Sequence, residues 1–232
     1  MKIAILSDIH SNQFALQAAM NKLAEINPDY YFFLGDYFGY YPWAQATYDI
    51  LSPIKEKSIY VIGNHDAQLL QDQPLLKTPE YWEVLIKNKH ELSDEAIAWL
   101  KDLHAIKKIQ LDGLTFTLCH GTPGDPLNGR YYPDNNDIYD WFPVAGEVLV
   151  MGHTHYKLLK KFENGGIMIN PGSVGQPRVI GDKPSFVIFD TLNNSTNFIE
   201  IDYDVASVIA KLEEIKWYPR AIDVLKRYKH TL

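Results

Sequence analysis

Hydrophobic and polar positions follow two different periods along this chain, and the change of period divides it. Ile3–Leu6 is a short apolar run that reads as a buried strand. Phe14, Leu16, Ala19, Met20, Leu23 and Ile26 then recur at helical spacing, and Asn27-Pro28-Asp29 supplies a stop and a turn. Tyr30–Leu34 predicts a second strand, Trp43–Ile54 a second helix and Ser58–Ile62 a third strand. This strand–helix–strand–helix–strand order implies parallel pairing with right-handed crossovers.

Residues 72–104 read as a helical insertion. Thr78-Pro79-Glu80 combines a cap residue, a proline at the first helical position and an acid. Ser93-Asp94-Glu95 starts a second helix, with Ile97, Leu100 and Leu103 on one face. From Ile106 the period changes to that of strands. Ile106–Leu111 and Leu114–Cys119 flank Asp112-Gly113, a strong hairpin signal. Val148–Met151, Lys157–Phe162, Ile167–Ile169, Ser185–Phe189 and Thr196–Ile201 continue the series, with turns at Asn164-Gly165-Gly166 and Asn193-Asn194. Val205, Val208, Ile209, Leu212 and Ile215 form the stripe of a late helix. No linker, repeat or low-complexity segment interrupts the 232 residues, so the pattern predicts a single domain of two facing sheets with helices outside.

Polar residues with chemical potential gather where the predicted strands end. Asp8-Ile9-His10, Gly35-Asp36, Gly63-Asn64-His65-Asp66, His120-Gly121 and Gly152-His153-Thr154-His155 each follow an apolar run. They supply Asp8, His10, Asp36, Asn64, His120, His153 and His155 as candidate metal ligands, with His65 as a spare imidazole. Hard carboxylates mixed with imidazoles suit a two-metal hydrolytic site. Residues i and i+2 of a strand share a face, so Asp8 with His10, and His153 with His155, could each grip one ion. Taken singly, Asp8 could instead cap the first helix and Asn64 could hold a left-handed turn. Jointly, five of the eight histidines fall in these strand ends; His90, His104 and His230 lie in helical stretches and read as surface residues.

A formal net charge of −7 argues against general binding to nucleic-acid backbones, though not against a small phosphorylated substrate beside bound cations. With Cys119 the only cysteine, no disulfide can form within the chain, which fits a reducing cytoplasm. The N-terminal apolar run is too short for a signal peptide, and no run is long enough to span a membrane.

The ordered set of five motifs resembles the calcineurin-like metallophosphoesterase superfamily over nearly the whole chain. The short first segment and Asn170-Pro171-Gly172-Ser173 resemble its small bacterial and archaeal phosphodiesterase branch. That resemblance implies a four-layer α/β/β/α sandwich with a dinuclear centre, filled by manganese, iron, zinc or nickel. Carried over position by position, it implies one cation on Asp8, His10, Asp36 and His155. A second would lie on Asp36, Asn64, His120 and His153, with Asp36 as the bridge. It implies His65 as a catalytic group facing the substrate rather than a ligand. Two divalent cations about 3.5–4 Å apart would leave the crevice net positive in an acidic protein.

Two aromatic segments adjoin the motifs: Tyr37-Phe38-Gly39-Tyr40-Tyr41-Pro42-Trp43 and Gly129-Arg130-Tyr131-Tyr132-Pro133. They could stack a nucleobase, with Tyr40 and Tyr41 on the base and Arg130 on a phosphate, or they could pack the loops or a homo-oligomer interface. Arg178, ending the loop from Asn170, suits a phosphate or a surface ion pair; the tail from Arg220 to His230 reads as a solvated helix face. The expected activity is hydrolysis of a small phosphorylated compound, most simply a phosphodiester, with nucleotides and dinucleoside polyphosphates as sharper versions. The alternatives are phosphoprotein phosphatase activity and a non-catalytic protein-binding scaffold.

Overall fold

The structure, a computed structural model, describes residues 1–71, 78–179 and 183–227. Its first half runs β1 (Lys2–Leu6), α1 (Gln13–Ile26), β2 (Tyr30–Phe33), α2 (Ala44–Leu51), β3 (Ser58–Tyr60), α3 (Asn64–Leu69), α4 (Pro79–Glu91) and α5 (Asp94–Lys101). Its second half runs β4 (Ile106–Leu111), β5 (Leu114–Cys119), β6 (Glu147–Val150), β7 (Lys157–Lys161), β8 (Ile167–Pro171), β9 (Ser185–Asp190), β10 (Ser195–Glu200), α6 (Val205–Glu214) and α7 (Pro219–Lys226).

The strands form two mixed sheets in the orders β10-β9-β1-β2-β3 and β4-β5-β6-β8-β7. As the element order implied, β1, β2 and β3 pair in parallel, with Ile3 opposite Tyr30 and Ile5 opposite Phe32. Strand alternation then sorts the side chains. Ile3, Ile5, Phe32 and Leu34 meet Phe116, Leu118, Val148 and Val150 of the second sheet in a dry layer between the sheets. Ala4, Leu6 and Phe33 point the other way, into a core built with Leu16, Leu23, Tyr48 and Leu100 from the helices. The outer face of the second sheet is covered by chain without helix. Tyr131, Trp141 and Phe142, from the long β5–β6 connection, pack there on Cys119, Leu149 and Met168.

Local signals account for most boundaries. The αL residue Asn27 closes α1. Pro53 lacks the N–H that an α-helix needs, so α2 ends at Leu51 and the chain tightens into a 3-10 turn over Ser52–Lys57 rather than running helical to Ile54. Thr78 and Ser93 cap α4 and α5 through their hydroxyls, as their sequence positions predicted. Asp112 and Gly113 both take positive φ, the geometry of a type I′ hairpin. The expected insertion over 72–104 is described from residue 78 onward; 72–77 and His230 lie outside the described residues. His90 and His104 are exposed, as read, but His104 lies beyond α5 in a bridge to Val61 rather than in a helix. Among the described residues no helix is long and apolar enough to cross a membrane.

Candidate metal centre

β1 ends at Leu6, so Asp8 and His10 lie beyond the pleat, and strand alternation does not explain how they converge. Their backbones are left-handed instead: Asp8, His10, Asp36, His153 and His155 all have φ between 53° and 64°. Such conformations are uncommon away from glycine and cost about 1–3 kcal/mol each, and they cluster at functional sites. The expectation that His153 and His155 grip one ion together is corrected by the same observation. Turned by left-handed residues, they face different partners. His155 Nε2 stands 3.2 Å from Asp8 Oδ1 and 3.2 Å from His10 Nε2. His153 Nδ1 stands 3.2 Å from His120 Nε2.

Glycines let the loops nest. A Cβ on Gly63 would overlap both the backbone N and Oδ1 of Asp36, so only glycine permits the β3–α3 turn to sit against the Asp36 loop. Neither of the lone-residue alternatives holds. The cap of α1 is Asn12, whose side chain accepts from Ala15 N–H, and Asn64 opens α3 rather than a left-handed turn.

Each carboxylate is aimed by the backbone of another motif. Asp8 Oδ2 accepts from His153 N–H at 3.1 Å, and Asp36 Oδ1 accepts from His65 N–H at 2.8 Å. That leaves Asp8 Oδ1 and Asp36 Oδ2 facing imidazoles. Asp36 Oδ2 is 3.2 Å from His120 Nε2, 3.8 Å from His10 Nε2 and 3.9 Å from His65 Nε2. Asn64 Oδ1 joins at 3.1 Å from His120 Nε2. Asp8 Oδ1, fully buried, accepts no hydrogen bond.

The histidine ring orientations show what would satisfy it. Nδ1–H of His10, His120 and His155 is set to donate to the backbone carbonyls of Phe38, Leu34 and Gln176. With the proton on Nδ1, each Nε2 presents a lone pair to the cluster, the arrangement of imidazole ligands held by backbone acceptors. Two such lone pairs, on His10 and His155, then face each other at 3.2 Å, which is repulsive without a cation between them. Donor separations of this size match an ion roughly 2.1 Å from each donor. Among the described residues, three groups have donor atoms close enough to share an ion: Asp8–His10–His155, Asp36–His120–His153, and His10–Asp36–His65. The residues therefore fit divalent cations.

Titration follows from the same crowding. Burial opposes the charge of Asp36, but His120, His65 and His10 outweigh it and hold the carboxyl well below its ordinary range. Burial also opposes the charge of His120, yet Asp36 overrides it and lifts the imidazole to about 9. Burial raises Asp8 to about 7 against the pull of His120, and lowers His10 to about 4 and His153 to about 3. Without a cation, the cluster supports one firm ion pair and leaves the other groups poorly solvated.

Beside this cluster opens a cavity of about 500 Å³. Tyr40, Arg130, Tyr132 and Arg178 line it, as the sequence suggested. Tyr40 sits edge-on to His10 at 4.7 Å and tilted against His65 at 5.0 Å. Arg130 Nε donates to His153 Nε2 at 3.1 Å. Tyr41 does not reach the cavity. It is fully buried against Val208, Leu212 and Leu225, anchoring the C-terminal helices, because the turn at Tyr40 (φ 58°) sends the two neighbours to opposite sides. Tyr131 is likewise buried under the second sheet, where its ring fills the aromatic cluster. The sequence missed Tyr81 on α4, Tyr156, and Tyr218 with Arg220 at the start of α7. Tyr156 directly follows His155 and was within reach of that motif; no local pattern marks Tyr81, Tyr218 or Arg220, which only tertiary packing brings to the site.

Asn88 of α4 braces the loops from behind. Its Oδ1 accepts from Gly39 N–H at 2.7 Å and Ser11 Oγ–H at 3.2 Å, and its Nδ2 donates to Tyr41 O at 2.9 Å. Asn88→Ala orphans a buried N–H and a buried carbonyl, and should lower stability by about 1–3 kcal/mol in urea unfolding. A loss below the error of that measurement would show that water replaces the side chain.

Known proteins match this architecture. The model of the calcineurin-like phosphoesterase superfamily domain matches residues 1–194. An uncharacterized protein of Methanocaldococcus jannaschii, MJ0912, is 28% identical over 227 residues, covering 90% of this chain and 91% of its own. The crystal structure of hypothetical protein PH1004 from Pyrococcus horikoshii superposes with a TM-score of 0.84 at 21% identity, covering 97% of each chain. A metallophosphoesterase from Sphaerobacter thermophilus superposes at 0.76 with 24% identity, covering 98% of this chain and 99% of its own. Because the family match extends over every strand-end motif of the cluster, the chain belongs to the calcineurin-like phosphoesterase superfamily, whose members are metal-dependent hydrolases of phosphoesters.

Proposed function

We propose that this protein is a dinuclear phosphodiesterase acting on a small phosphorylated compound, with nucleotides as the favoured class and a cytoplasmic location. The observation that carries the reading is the shared position of Asp36. Its Oδ2 faces His120 on one side and His10 on the other, between two donor groups. Asp8, His10, Asp36 and His155 would hold one cation; Asp36, Asn64, His120 and His153 would hold the other. Manganese is the first choice, with iron, zinc or nickel as the other candidates. When bound, such ions withdraw charge from phosphoryl oxygens and make water a nucleophile near neutral pH.

The chain's own groups do the rest. His65, packed between Tyr40 and Tyr81, would give a proton to the departing oxygen as its bond to phosphorus breaks, while water supplies the hydroxyl that phosphorus gains. Arg130 and Arg178 would hold the non-bridging oxygens, a role suited to the fixed guanidinium fork. Tyr40 and Tyr132 offer rings to a base, which the buried Tyr41 and Tyr131 cannot. The intact donor set favours catalysis over a scaffold role.

Chelation should abolish hydrolysis of bis(p-nitrophenyl) phosphate, and manganese should restore it. Full turnover by a preparation verified to be metal-free would overturn the proposal.

A further inference from the structure

The cavity holds more positive charge than one phosphoryl group needs. Arg130, Arg178 and Arg220 all line it, and among the described residues none pairs with a carboxylate. Three of the chain's four arginines line this one cavity. The three are not equivalent. Arg130 is bonded to His153. Arg178 is felt electrostatically by Asp8, His10, His153 and His155. Arg220 is not among the main influences on those four groups; it acts on Tyr40, which Arg178 also reaches.

Arg220 is also held by a fixed element. The C-terminal helices dock through Leu212, Ala221, Ile222 and Leu225 onto Tyr41. Trp217 Nε1–H donates to Tyr40 O at 2.7 Å, tying the approach to α7 directly to the aromatic loop. Arg220 thus reaches the cavity from a helix packed on the site, and the half-buried Tyr218 at the start of that helix lines the same cavity. These helices lie beyond residues 1–194, the part matched to the family. The cavity volume of about 500 Å³ has room for a ligand larger than a single phosphate.

We infer that Tyr218 and Arg220 form a second anion subsite, which binds a phosphate carried by the leaving portion of the substrate while the ring of Tyr218 packs against that portion. The inference rests on the phosphodiesterase reading and narrows it. The substrates are phosphodiesters whose leaving nucleoside bears a further phosphate, as in 5′-phosphorylated dinucleotides. A guanidinium on a phosphate makes charge-assisted bonds of the stronger kind, so the subsite should be visible in selectivity.

The test compares the dinucleotides ApA and pApA, which differ only by the terminal phosphate, with the manganese-loaded protein. The wild type should favour pApA by about tenfold or more in kcat/KM, and Arg220→Gln should bring the ratio to within about twofold of one. Arg220 is exposed, so the variant should keep the fold. A wild type without preference, or a preference that survives in R220Q, would overturn the subsite. Calorimetry gives a readout independent of turnover: adenosine 3′,5′-bisphosphate should bind the wild type more tightly than AMP, and R220Q should lose that difference. Equal binding of the two by wild type, alongside hydrolysis of bis(p-nitrophenyl) phosphate, would sink the subsite alone. Selective binding without hydrolysis of any ester would keep the subsite and sink the phosphodiesterase reading.

Discussion

Asp36→Asn is expected to remove metal from both halves of the centre and to lower kcat/KM for a phosphodiester by on the order of a thousandfold or more. Metal ions of this kind contribute several kcal/mol of transition-state stabilisation, and each 1.36 kcal/mol is tenfold in rate. The substitution keeps shape and removes charge. The amide oxygen of the new side chain can still accept from His65 N–H, the bond that Asp36 Oδ1 makes at 2.8 Å. What the amide lacks is the anionic oxygen facing His120 and His10 together. Asp8→Asn should weaken one half more than the other, because Asp8 Oδ1 lies nearest His155. Elemental analysis of the dialysed proteins, beside kinetics on bis(p-nitrophenyl) phosphate, separates the two. A D36N protein that keeps both metals and its rate would refute the bridging role.

The second expected result concerns His65, where geometry permits two roles. His65 Nε2 stands 3.9 Å from Asp36 Oδ2, within a group that includes His10 and could share an ion. It is also the imidazole of the cluster whose ring lies against Tyr40 and Tyr81 on the cavity side. The proposed role as proton donor predicts that His65→Ala lowers kcat by about 10²–10⁴ while metal content stays near that of the wild type. A leaving group of low pKa, such as p-nitrophenol, needs less protonation, so the loss should shrink with that ester and grow with an alkyl ester. Loss of stoichiometric metal would instead make His65 a ligand. His65→Gln, which fills more of the space, guards against an effect of the cavity alone.

What was legible in the sequence divides from what was not along a physical line. Elements with strong periodicity, such as α1 and the β4–β5 hairpin, were legible because their signals are local. The five motifs were legible because each sits beside its own strand. How they converge was not. Alternation along a strand predicts the pairing of Asp8 with His10, whereas left-handed residues after the strand are what bring them together. Position in sequence could not separate Tyr40 from Tyr41, since a single positive φ sends one ring to the site and the other to the C-terminal core. Tyr81 carried no signal, and the tail from Arg220, read as a solvated helix face, instead buries Ala221, Ile222 and Leu225 against Tyr41 and brings Arg220 to the cavity, because helix packing far from every motif decides both.

The way the two carboxylates are aimed has a consequence for how the protein matures. Asp8 is oriented by the amide of His153, 145 positions later, and His10 meets His155 across the same span. Closing loops of that length is entropically slow, and rates fall as contacts become less local. A nascent or partly folded chain therefore has no assembled donor set, and scavenges metal poorly until both sheets have met. Cation uptake then becomes a late event that selects the completed fold. Ligand at a hundred times its dissociation constant adds about 2.7 kcal/mol to whichever state binds it. Metal supply should thus set not only activity but the lifetime of the finished molecule, with the apo form the more readily unfolded and degraded.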